Sequence, residues 1–401
     1  MKKTIFTICI GLISAFYSYS QTWTAQSSGT TNQLFGVDFI DNNNGWAVGQ
    51  TGTILHTTDG GTNWNPQTSN FGGFIRNVQF ISPTTGWCAG DSGKVFNTTN
   101  AGATWTAQAT GTSSNIRYVH FVDANNGWAC GVSGLIIHTT NGGTSWNPQT
   151  SGTASVLFTI HFTDVNNGWA IGATGVGVVI HTTDGGANWN PQTTPNTNPV
   201  YGTGFVNSNL GWVCGGTGTM FNTTDGGTNW GTQTSGTVNN LRNVHFVSAM
   251  DGWAFGDAGT IINSTDGGTT WLPQVSGVAT TVRNGDMLST SLGYAVGDNG
   301  VILRYTSATF GLDENSSEMS ISVYPVPNNG NFSVEVNSEL STNAQLTVSS
   351  LLGEMVYSEN VSLNKGMNKV NVQSGKLISA GIYFVELKSG GNKLQRKIII
   401  E

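Results

Sequence analysis

Charge is scarce in this sequence: Asp, Glu, Lys and Arg make up only 9 % of its 401 residues. Disordered chains are charge-rich and aromatic-poor, so so little charge beside 10 % aromatic residues points to a folded chain. A net charge of −7 leaves no broad basic surface and argues against a nucleic-acid partner. Long apolar runs are also missing. The stretch from Ile5 to Phe16 is shorter than the roughly 20 residues of a membrane-spanning helix, and no later segment reaches that length. It follows Lys2 and Lys3 and precedes Ser18 and Ser20, so residues 1–20 read as a signal peptide cleaved before Gln21. Cys9 lies inside that run, not at its end, which speaks against a lipid anchor.

Cysteine is nearly absent from the exported part. Only Cys88, Cys130 and Cys214 remain, an odd number, and no Cys-x-x-Cys occurs. Each replaces Ala or Val in a repeated GWAVG-like segment, so all three are expected as small buried side chains, with no disulfide and no sulfur-ligated metal.

What the chain does have is glycine, 55 residues, and tryptophan, 13 residues, at a fixed period. One Trp series falls at 23, 64, 105, 146, 189, 230 and 271, in steps of 41, 41, 41, 43, 41 and 41. A second follows each member by 23 residues: Trp46, Trp87, Trp128, Trp169, Trp212, Trp253 and finally Tyr294. Within a unit four strand-like runs appear, at 37–39, 45–49, 53–58 and 62–69. Four short strands per repeat of this length is the size of a β-propeller blade. A solenoid is the alternative, but it needs capping repeats that the sequence does not show.

The phase of the repeat predicts how the ring closes. The chain opens with a lone fourth strand at 21–28 and ends with three strands near 282–288, 293–297 and 300–306. If the first completes the last, seven blades form and no sheet edge is left open. Two extra residues in the fourth repeat fall at 173–179, where a longer hairpin loop is expected.

The stretch TTDGGTNW (57–64) and its copies resemble the Asp-box of sialidase-like propellers, and with GWAVG (45–49) the unit resembles the repeat of photosystem II stability and assembly factors. The resemblance spans 22–309. It implies an all-β, seven-bladed propeller, with the Asp-box stabilising a turn and taking no part in catalysis. A sialidase-like enzyme needs a Tyr–Glu pair, and most other glycosidases need two carboxylates. Residues 22–309 contain no glutamate, and their 13 aspartates fall mostly at repeated turn positions. Only Asp38 and Asp286, on the neighbouring first and last blades, are placed to meet. The expectation is therefore a non-catalytic binding or scaffold module without cofactor or metal. A glycan-active enzyme on the same propeller is the alternative.

Two repeat positions carry candidate site residues. Fifteen residues after each first-series Trp come Asp38, Gln79, His120, His161, Gly204, His245 and Asp286, on the innermost strand. They read either as polar lining of a wet central channel or as ligands for a metal or small molecule. Twelve residues after each Trp come Phe35, Arg76, Arg117, Phe158, Tyr201, Arg242 and Arg283. Four of the six cationic residues of 22–309 share this position, where they ring one mouth of the channel. Arginine interleaved with aromatics suits carboxylates, sugars or an acidic peptide. The competing reading is an arginine copied by duplication that packs between blades.

After a polar linker at 310–318, residues 319–401 contain no Trp and read as a small β-sandwich, with strand-like runs that include AQLTVSSLLGEMVYSE (344–359). The stretches VYPVPNNGNFSV (323–334), LLGEMVY (351–357), SAGIYFVEL (379–387) and KLQRKIIIE (393–401) resemble the C-terminal sorting domain of type IX secretion substrates. That resemblance implies recognition by an outer-membrane translocon and sortase, and delivery of the propeller to the cell surface or medium. Such a route disfavours photosystem assembly. Removing 319–401 is expected to leave a folded propeller held in the periplasm, checked by cell fractionation; normal yield outside the cell would refute the address role.

Overall fold

The computed structural model describes residues 21–307, 319–324, 330–338, 340–350, 354–373, 379–389 and 392–400; the expected signal peptide and the 310–318 linker lie outside them. Chain contacts separate a unit ending at Ser307 from the C-terminal strands. The first unit is a seven-bladed propeller of four-stranded antiparallel sheets. Blade one consists of Leu34–Phe39, Gly45–Gly49, Ile54–Thr57 and Asn65–Gln67, from the axis outward.

Aromatic packing explains why the repeat keeps its residues. Trp46 lies fully buried, with its ring stacked 3.4 Å from Phe80 of the next blade's inner strand. The same contact joins Trp87 to Phe121, Trp128 to Phe162, Trp169 to Phe205, Trp212 to Phe246 and, across the seam, Tyr294 to Phe39. Each Phe also meets the outer Trp of its own blade edge-on, as Phe80 meets Trp105 at 5.8 Å. The glycine before each inner Trp is required by this packing. A Cβ on Gly45 would sit 2.4 Å from the Phe39 ring.

The Asp-box forms as the residue types predict. Thr57 donates its hydroxyl to Asp59 Oδ1 at 2.8 Å and accepts the Gly61 N–H, while Asp59 Oδ1 accepts the Asn63 N–H at 2.9 Å. Gly61 has φ 81°, a conformation open to glycine. The turn takes up residues that were expected in the fourth strand, so Trp64 precedes that strand and only Asn65–Gln67 pair. A further link was not legible beforehand. Gln67 donates to Ala101 O in the next blade's turn at 2.8 Å and accepts the Trp105 indole N–H at 3.2 Å. This Gln–Trp contact recurs around the outer ring and ends with Trp23 donating to Gln274 at 2.7 Å.

Closure follows the expected path. Gln21–Gln26 pairs antiparallel with Ile302–Ser307, setting Trp23 opposite Tyr305. Trp23 is 6 % exposed and meets Phe255 edge-on at 5.7 Å. The last blade has no Asp-box, because its fourth strand comes from the other end of the chain. The Trp253 indole N–H accordingly finds no acceptor, whereas Trp212 donates to Gly267 O at 3.1 Å. One detail corrects the expectation: the fourth blade's two extra residues lengthen its strands, Gly168–Thr174 and Val176–Thr182, rather than a loop. Ladder pairing extends to Thr174 and Val176, replacing the 3-10 turn seen at Gln50–Gly52. The cysteines Cys88, Cys130 and Cys214 are free and fully buried, and burial raises their thiol pKa.

The second unit is a sandwich of two sheets. One contains Met319–Tyr324, Asn331–Ser338 and Gly366–Gln373; the other Thr342–Ser350, Met355–Leu363, Gly381–Ser389 and Asn392–Ile400. Val334, Leu346, Val385 and Ile398 are fully buried between them. The run 344–359, read as one strand, falls in two antiparallel strands, with the Ser350 N–H bonded to Glu354 O at 2.8 Å.

Deleting residues 21–28 removes a full strand and the Trp23 contact together. Since Trp-to-Ala in a core alone costs about 3–5 kcal/mol, the 29–309 fragment should melt far below 21–309; equal melting temperatures would refute the closure.

Candidate functional site

Each of the seven inner strands carries a β-bulge near its start. The register against the second strand slips between Leu34 and Gly36, Ile75 and Asn77, Ile116 and Tyr118, and at the matching place in the other four blades. The extra residue is Phe35, Arg76, Arg117, Phe158, Tyr201, Arg242 or Arg283. A bulge re-aims the side chain it carries. All seven of these side chains line one cavity of about 240 Å³ at a mouth of the channel. Sequence reasoning found the ring but not the bulge that makes it.

The arginines are not equivalent. Arg76 is forked onto Asp91, at 3.0 and 3.2 Å, and Arg242 onto Asp257, at 2.8 Å for both bonds. Arg283 pairs with Asp298 through its Nε alone. In each case the acid lies 15 residues further on, in the turn after the second strand. Val132 stands at that place for Arg117. Arg117 forms no ion pair among the described residues, and its buried Nε has no hydrogen-bond partner. Burial, then repulsion from Arg76, lowers its pKa from the ordinary guanidinium value. Aromatic faces complete the mouth: Arg76 lies over Phe35 at 4.9 Å, Arg283 over Phe35 at 5.2 Å and Arg242 over Tyr201 at 5.0 Å. Thus three arginines are tied into their own blades while also lining the mouth, and Arg117 lines it without an ion pair of its own among the described residues.

Deeper in the channel a second cavity, about 180 Å³, is lined by Asp38, Gln79, His120, His161, His245 and Asp286. These residues do more than line it. The Phe80 N–H donates to Asp38 at 2.7 Å, Phe121 to Gln79 at 2.6 Å, Phe162 to His120 Nδ1 at 3.3 Å, Met287 to His245 Nδ1 at 3.2 Å and Phe39 to Asp286 at 2.7 Å. Each clasps the inner strand of the next blade. Gly204 is the gap, since a Cβ there would come within 2.9 Å of Val244 O. His120 and His161 stack at 4.8 Å, and His245 Nδ1 lies 3.4 Å from Asp286. Burial holds His120 well below the usual imidazole range and His161 down to about 4, with a neighbouring His adding in each case. Asp38 is raised, by burial first and by Asp286 second; burial also raises Asp286, against the pull of His245. Among the described residues no three His, Cys, Asp or Glu side chains are grouped to hold a metal ion.

The family model for photosynthesis system II assembly factor YCF48 matches this chain at 16–75, 69–151, 147–234 and 200–263. The chain belongs to the YCF48 family. Its end, 322–401, matches the secretion system C-terminal sorting domain, which implies interaction with the type IX machinery and suggests secretion or the cell surface. Among solved structures, this YCF48-family propeller resembles YCF48 bound to D1 peptide, at TM-score 0.62 and 23 % identity over 71 % of this chain and 94 % of that one. YCF48 from Cyanidioschyzon merolae gives 0.61 and 22 % over 72 % and 99 %. PorZ, a surface component of the type IX secretion system of Porphyromonas gingivalis, gives 0.54 and 11 % over 92 % and 59 %. No curated protein matches in sequence.

The channel carboxylates generate a pH prediction. A carboxyl whose pKa is raised on folding gives stability that is present below its unfolded value, about 4, and lost as pH rises through the folded value. Asp38 is such a group, and an Asn amide oxygen can still accept the Phe80 N–H. Asp38→Asn is therefore expected to raise the melting temperature at neutral pH but not at pH 3; a lower melting temperature at both would contradict it.

Proposed function

We infer that the YCF48-family propeller is a non-catalytic binding module whose channel mouth captures a carboxylate-bearing ligand, foremost an acidic or chain-terminal peptide segment. The observation that carries this is Arg117, a guanidinium without an acid of its own in a cavity walled by Phe35, Phe158 and Tyr201. A guanidinium offers paired donors that match a carboxylate, and aromatic walls add apolar contact and limit competing water. That a similar propeller has been solved with a peptide bound supports the choice of ligand class. The export route fits the same reading: signal peptide to the periplasm, recognition of 319–401 by the translocon, and cleavage by a sortase, with the propeller as cargo for the surface or medium.

A glycan-active enzyme remains the competing reading, and Asp38 with Asp286 is the pair it would use. Both carboxylates already accept backbone N–H groups of neighbouring blades, and 22–309 supplies no glutamate to join them. Turnover of any glycan by the full chain that disappears in Asp286→Asn would replace the binding reading.

Titration of acidic peptides with free and amidated C-termini tests capture directly. Arg117→Gln is expected to abolish binding and leave the melting temperature nearly unchanged. Arg76→Gln strands Asp91 and should cost about 1–2 kcal/mol of stability, because that ion pair is only partly shielded from water. Binding undiminished by Arg117→Gln would sink the assignment.

A further inference from the structure

Between the mouth and the acid–histidine cavity lies a third ring of side chains, one per blade, 13 residues after each first-series Trp: Gly36, Asn77, Tyr118, Thr159, Gly202, Asn243 and Asn284. Six are small or amide residues, and several are used up in joining strands. Asn77 accepts the Val119 N–H at 3.0 Å, Asn243 the Gly285 N–H at 3.3 Å and Asn284 the Val37 N–H at 3.3 Å. Thr159 donates to Tyr201 O at 2.9 Å. Tyr118 is the exception in size. It lines both cavities, together with Asn243 and Asn284. Starting from blade three, its phenol comes close enough to Asp38 and Asp286, on blades one and seven, for their charge to act on it beside the effect of burial. Tyr118 and the two aspartates thus line the same inner cavity.

We propose that Tyr118 is the specificity-determining floor of the mouth: it separates the arginine cavity from the acid–histidine cavity and makes the binding site a blind pocket. The proposal rests on capture of carboxylates at Arg117, as inferred above. A ligand anchored there meets the phenol before it meets Asp38 or Asp286. The site then accepts the end of a chain and rejects a chain threaded along the axis, and a cationic group at the inner end of a ligand cannot reach the aspartates. Successive inward-facing residues of a strand stand roughly 6–7 Å apart, so loss of the Tyr118 ring would open about that much further depth.

The test compares hexanoate with 6-aminohexanoate on the full chain, its Tyr118→Asn and Tyr118→Phe variants, and Arg117→Gln. Asn already occupies this ring in three blades, so the first variant suits the fold. In the native protein 6-aminohexanoate should bind no better than hexanoate. In Tyr118→Asn its ammonium gains access to the aspartates, and the preference for it should rise about tenfold or more. Tyr118→Phe keeps the ring and should keep the native ratio. If both carboxylates bind through Arg117 but the ratio is unchanged in Tyr118→Asn, the floor assignment is overturned while the mouth reading stands. If neither binds, the mouth reading fails, and the floor is judged by NMR titration of the aspartate carboxyls alone. The Asp38 and Asp286 transitions should then fall towards ordinary values in Tyr118→Asn and stay high in Tyr118→Phe; no change in the first variant would overturn the separation of the two cavities.

Discussion

The stacking of each blade's tryptophan on the next blade's phenylalanine is the contact on which the ring depends. A single four-stranded sheet has two faces to cover and cannot bury either alone. In this propeller the cover is the neighbouring blade, and the Trp46–Phe80 contact and its copies set how close and at what angle two blades meet. The stacking Phe of each blade lies so close over its own second strand that glycine is demanded before every inner Trp, as at Gly45 beneath Phe39. The stacking also brings neighbouring inner strands within reach of single side chains, so that Asp38 or Gln79 can bond the backbone of the following blade. The Gln–Trp belt does the same on the outer side. Where the repeat is broken, at the seam, the substitutes are visible: Tyr294 stacks on Phe39, and Trp253 loses its carbonyl acceptor.

Function is built by divergence at positions that this framework leaves free. The bulge recurs in every blade, so each copy contributes one side chain to the mouth whatever its identity. Three copies combine Arg with an acid 15 residues on, and there the arginine strengthens its own blade. In blade three Val132 stands in place of the acid, and the same residue type forms no ion pair of its own among the described residues. One ring inward, that blade also holds Tyr118 where others hold Asn, Gly or Thr. Both departures from the repeat fall in one blade and face one cavity.

The buried carboxylates show a different balance. Asp38 and Asp286 bond neighbouring strands well, yet they sit close together and out of water, which disfavours charge on either. Amides perform the same strand-joining one ring outward without that penalty, as Asn77 and Asn284 do. The nearby His245 offsets part of the cost of burying Asp286.

Blade count, closure by the N-terminal strand, the Asp-box turns and the sandwich that follows were all legible from the residues, because each depends on local chemistry repeated at a constant period. A Trp every 41 residues, an Asp beside paired glycines and an unmatched strand at each end leave few ways to bury the apolar surface. The two site rings were legible as positions for the same reason. Their chemistry was not. The bulge under Arg117 is a slip between two strands and has no residue signature; the extended hairpin at 168–182 likewise depends on pairing. The Arg–Asp forks left a trace in the 15-residue spacing of Arg76 to Asp91, yet only the folded turn shows that they touch. The placement of Tyr118 between two cavities, like the clasping of one blade's backbone by another's Asp, Gln or His, joins residues some 40 positions apart. Sequence periodicity determines which residues share a ring, while the width of the ring, and hence which of them meet, is decided by how closely the blades pack.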